Sequence, residues 1–128
     1  MVRVASAGSA WTRRISAADA ANLLAGQAVA HATAYLDGRQ SAEQLAAHAA
    51  RVHVKLVIAL HTDTTPDPTV KAILNPVRLL AVAMTHAARA TDQARQDRWR
   101  EVMGALIGLA RIESRALRDS KAATEEGR

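Results

Sequence analysis

No phenylalanine, one tyrosine and two tryptophans serve a chain in which 49 % of the residues are hydrophobic. Sheets pack through aromatic and β-branched side chains, and no stretch of this sequence alternates apolar and polar with period two. Alanine supplies much of the apolar count, so the core must be thin helix set close against thin helix. The expectation is an all-α chain folded as a small bundle of four to five helices. Its 128 residues suffice for one core without staples. The chain has no cysteine, which excludes disulfides, thiolate metal sites and cysteine nucleophiles.

Punctuation places the helices. Ser16 is followed three residues later by Asp19, the capping-box spacing, so a helix is predicted from 17 to 37. "DGRQ" ends it, with Gly38 suited to the left-handed position after a helix. Ser41 and Gln44 form a second capping box, opening a helix that runs to His61. "TDTTPDPT" (62–69) reads as a linker. "VKAIL" then makes a turn of helix that breaks before Pro76, and Asn75-Pro76 restarts it. The pattern continues to Lys121, with Thr91-Asp92 as a joint between two helices. Residues 1–15 are expected to form a flexible basic arm, 16–121 a helical bundle domain and 122–128 a disordered tail.

Projection at ~100° per residue sorts the faces. The second helix turns Leu45, Ala49, Val52, Leu56 and Leu60 inward. The stretch 76–90 is apolar nearly all round, as befits a central helix. The last helix aligns Trp99, Val102, Leu106, Leu109, Ala110 and Leu117 on one stripe.

Charge is distributed unevenly. The net charge is +5 and arginine outnumbers lysine 14 to 3, a bias expected in part of a GC-rich, bacterial genome. Residues 1–69 carry six basic and five acidic side chains, whereas residues 70–121 carry ten and five. The excess therefore belongs to the C-terminal half and points to an anionic partner. The longest apolar runs, "LVIAL" and "LLAVAM", fall well short of the ~20 residues of a membrane span. The N-terminal "MVRVASAGSAWTRRIS" lacks the apolar region of a signal peptide, and a cytoplasmic location is expected.

Sites for chemistry are few. The five glutamates, at 43, 101, 113, 125 and 126, stand in neither the Glu-x-x-Glu nor the Glu-x-x-His spacing of di-metal bundles. There is no Gly-rich phosphate loop, and "HTD" at 61–63 reads as linker. No enzymatic activity and no cofactor are expected. His31, His53 and His86 lie toward the apolar stripes of three helices; if the stripes converge they make a candidate metal site, and otherwise each serves its own helix. Glu113, near the apolar stripe, is expected to pair with an arginine or histidine from another helix. "SAEQLAAHAARVHVKLVIAL" echoes a helix-turn-helix, but Ala50 holds the turn position and the stretch reads as one helix.

The last helix carries the main candidate. Arg100, Arg111, Arg115 and Arg118 fall within a ~60° sector and span roughly 27 Å. Gly104 and Gly108 lie on the same side, each costing ~1 kcal/mol relative to alanine in a helix interior. Glycine clears space where a partner helix or a nucleic-acid backbone approaches. Arg89 and Arg95 add charge upstream, with Arg98 beside them, and Arg13 and Arg14 flank Trp11 on the arm. The expected function is a non-enzymatic basic protein that binds a nucleic-acid backbone, DNA or RNA, with weak sequence preference. It would act as a homo-oligomer or as an accessory subunit of a nucleoprotein complex. The competing expectation is a scaffold module docking an acidic partner on the same glycine–arginine face, and a third is a histidine-metal or small-ligand bundle.

Overall fold

The computed structural model describes residues 17–62 and 68–126, with side-chain surroundings for 17–59 and 68–120. The regular structure among them is helical: α1 (Ala17–Leu36), α2 (Ala42–Thr62), α3 (Pro68–Arg89) and α4 (Gln93–Glu126). Ser16, Trp11, Arg13 and Arg14 lie outside the described residues.

Local chemistry sets the helix ends. Gly38 adopts φ 79°, the left-handed conformation that side chains resist. It lets Arg39 N–H reach Ala34 O at 2.8 Å and its own N–H reach Tyr35 O at 3.0 Å, which satisfies two carbonyls that α1 would otherwise leave open. The capping box of α2 forms as read: Gln44 N–H donates to Ser41 Oγ at 3.2 Å, and Ser41 N–H donates to Gln44 Oε1 at 2.9 Å. The joint between α3 and α4 is real, and its cap is Asp92, whose Oδ1 accepts Ala94 N–H at 3.2 Å.

The four helices run alternately up and down. His31 lies against His48 and Gln27 against Lys55, so α1 and α2 are antiparallel. Arg100 meets Leu36 while Ser114 meets Asn22, so α4 is antiparallel to α1 as well. α1 and α3 touch each other and both remaining helices, whereas α2 and α4 share no contact among the described residues. α1 and α3 therefore form the short diagonal of the bundle. Alanine makes that possible: Ala21, Ala25, Ala28 and Ala32, spaced three and four apart, are all buried on α1. Across from them Ile73, Val77, Leu80 and Met84 of α3 are fully buried, with Leu45 and Leu56 of α2 and Met103 of α4 closing the core. No polar or charged residue is buried among the described residues.

The structure corrects three expectations. Pro76 does not break the chain; α3 passes through it without interruption from Pro68 to Arg89. An interior proline costs ~3 kcal/mol or more, but Val70, Ile73, Leu74, Val77, Leu80 and Met84 are buried on either side of it, each contributing about 1.5–3 kcal/mol. The proline at the first helical position is Pro68 instead. Second, α4 continues past Lys121 to Glu126, through alanine and glutamate, both good helix formers. Third, the buried face of α4 is centred on Met103, Ile107, Ala110 and Leu117, while Leu109 is 42 % exposed. Trp99, Val102 and Leu106 are only half-buried. α4 is thus rotated from the expected stripe toward α1, which moves its arginines from the far side of the helix to the α1 seam.

Candidate functional site

That rotation separates the four arginines of the row. Arg100 is half-buried; its Nη2 donates to Leu36 O at 2.8 Å, and its guanidinium carbon lies 5.6 Å from the centre of the Tyr35 ring. Leu36 ends α1, where carbonyls lack helical donors, so Arg100 caps α1 from α4 and is committed to the fold. Arg111, Arg115 and Arg118 are exposed and make no hydrogen bond or ion pair with any described residue. The three line a cleft of about 340 Å³ between α4 and α1.

The floor of the cleft is Ala25, Gly26 and Val29 of α1 with Ala110 of α4. Ser114, on its wall, donates to Asn22 Oδ1 at 2.6 Å and joins the two helices. Small side chains keep the floor low and let the arginines stand as its rim. From 111 to 118 the guanidinium groups cover about 10 Å of helix axis, the reach of about three nucleotide steps. Arg111 and Arg115 also border a second depression, of about 380 Å³, with Ile112 and Asp119.

Gly104 and Gly108 continue the same side of α4 toward Arg100. A Cβ at either position would meet nothing within 4 Å, and the same holds for Gly26. No neighbour among the described residues requires glycine at these three helical positions. Gly26 escaped the sequence reading, although a mid-helix glycine is as costly there as at 104 and 108.

The remaining candidates disperse. Arg89 lies on a groove between α2 and α3 that His53, Val82 and His86 also line, and Arg95 is exposed on the first turns of α4. The three histidines do not converge. His86 stacks on Trp99 with ring centres 4.6 Å apart, clamping α3 to α4. His53 is exposed. His31 stacks instead on His48, with centres 3.5 Å apart and planes inclined by 9°. The described residues contain no group of three or more histidine or acidic side chains placed to hold a metal ion. Glu113 is half-buried and has no ion-pair partner among the described residues, contrary to expectation; its partial exposure leaves its carboxylate to water. No described helix is long and apolar enough to cross a membrane.

Comparison of the chain with known protein families, with curated proteins and with solved structures finds no match.

Proposed function

We propose that this protein binds a nucleic-acid backbone, without catalysis and with weak sequence preference, through the α1–α4 cleft. One observation carries the reading: Arg111, Arg115 and Arg118 rim a cleft while making no hydrogen bond or ion pair with any described residue. Guanidinium forks match phosphate oxygens bidentately, and releasing the counterions of a polyanion drives such contacts. The floor offers methyl groups and backbone rather than amide side chains, so base edges find little to read them. The cleft lining holds no carboxylate or imidazole, which favours binding over acid–base chemistry. A protein of this kind would work in the cytoplasm, as a homo-oligomer or as an accessory subunit of a nucleoprotein complex.

Affinity for oligonucleotides of unrelated sequence should be similar and should fall steeply as salt rises. Replacing Arg111 and Arg115 together with alanine should flatten the logarithmic salt slope by about two. Binding that ignores salt, or no binding at low salt, overturns the proposal.

A second reading has its own observation. Gly104 and Gly108 face open space, and nearby Ile112 is 64 % exposed, which suits a helix of an acidic partner lying across α4. Gly104→Leu should then abolish the assembly while leaving the monomer helical, as read by light scattering and circular dichroism. An unchanged mass counts against it.

A further inference from the structure

α1 has a second charged flank, on the side away from α4. Where α1 meets α2, His31 and His48 stack at 3.5 Å, and Gln40 Nε2 lies 3.4 Å from His31 Nδ1. Lys55 leans onto α1, its Nζ donating to Gln27 Oε1 at 2.9 Å. Burial, and then the charges of His48, Arg51 and Lys55, lower the pKa of His31. No carboxylate is among the groups acting on that ring. The nearby Asp37 is engaged with Arg39 at 3.1 Å. The α1–α2 seam therefore gathers two imidazoles, an ammonium and a guanidinium, and among the described residues no acid is seen acting on the His31 ring.

Between the two flanks the outer face of α1 carries small and apolar side chains and one acid, Asp19 in its first turn. Ala20, Leu23, Gly26 and Ala30 are exposed there, with Leu23 at 66 %. α2 and α4 lie on either side of α1 and share no contact among the described residues, so α1 lies between their basic rims. A single strand lies along one rim. A duplex presents two backbones bordering a groove, and its major groove, ~12 Å wide, admits an α-helix.

We infer that the α1–α2 seam, through Arg51 and Lys55 beside the His31–His48 stack, is a second phosphate-binding rim, and that the protein selects double-stranded nucleic acid by straddling it across α1. This rests on the proposed α1–α4 interface and adds its partner's strandedness. Arg51 and Lys55 are exposed, so their replacement spares the core.

The experiment compares a random-sequence duplex with its separate single strand, by fluorescence anisotropy across a salt series. The proteins are wild type, Arg51→Gln/Lys55→Gln and Arg111→Ala/Arg115→Ala, with circular dichroism confirming the fold of each. The wild type should bind duplex more tightly than single strand. R51Q/K55Q should lose that preference, flatten the duplex salt slope by about two and leave single-strand binding unchanged. Equal wild-type affinity for the two forms, or an unaltered duplex slope in R51Q/K55Q, overturns this inference while leaving the α1–α4 interface standing. Failure of the wild type to bind either form overturns both.

Discussion

Arg100 and Arg118 share a sector of α4, yet their surroundings differ. Arg100 is held by Leu36 O and the Tyr35 ring, so Arg100→Ala should weaken the α1–α4 seam by about 1–3 kcal/mol, the worth of a charged hydrogen bond. The glycines behave in the opposite sense. With nothing within 4 Å of a new Cβ, Gly104→Ala and Gly108→Ala should each raise stability by about 0.5–1 kcal/mol in urea denaturation. A loss of stability would mean that a contact needs the bare backbone. His31 supplies a pH dependence. Its folded-state pKa lies below the ordinary 6.5, chiefly through burial and then through His48, Arg51 and Lys55. As pH falls, the unfolded chain takes up the proton first. Its contribution to stability is therefore complete above 6.5 and is lost as pH drops from there toward the folded-state value. His31→Gln should flatten that decline, and an unchanged decline contradicts the assignment.

At the scale of elements, α3 shows how tertiary burial overrides a local signal. Asn75-Pro76 carries every mark of a helix start, yet the helix runs through it because apolar side chains on both sides reach the core. Pro76→Ala would restore a backbone bond and relieve a clash worth ~3 kcal/mol, less ~1.6 kcal/mol for two buried methylenes. A net stabilisation of about 1 kcal/mol should follow, and a fall in melting temperature would contradict the account. The helices themselves were legible because capping residues and 3.6-residue periodicity are local. The register of α4 was not. Both Trp99–Leu106 and Met103–Ile107 make an apolar stripe, and the choice depends on which neighbour packs on which side. For that reason the arginine row was visible in the sequence while the cleft beside it was not. Gly26 could have been found by the rule that singled out Gly104. The His31–His48 stack could not, since nothing local pairs residues on two helices.

The whole molecule is a bundle whose short diagonal is made of alanine, and its surface follows from that. Because α1 is thin, α2 and α4 flank it, and basic side chains border both of its seams. Ala28 is fully buried on the diagonal, so Ala28→Leu should overpack it and destabilise the fold by about 1–3 kcal/mol. An apolar core with no buried polar or charged residue among those described explains the fold without Arg111, Arg115 and Arg118, and their lack of hydrogen-bond or ion-pair partners among the described residues is the ground on which the proposed anionic partner rests. The contrast between the engaged and the unengaged arginine tests this most directly. The salt dependence of oligonucleotide affinity should be measured for wild type, Arg100→Ala and Arg118→Ala. The account predicts a slope reduced by about one for Arg118→Ala and unchanged for Arg100→Ala. A slope that falls for Arg100→Ala and holds for Arg118→Ala would contradict it.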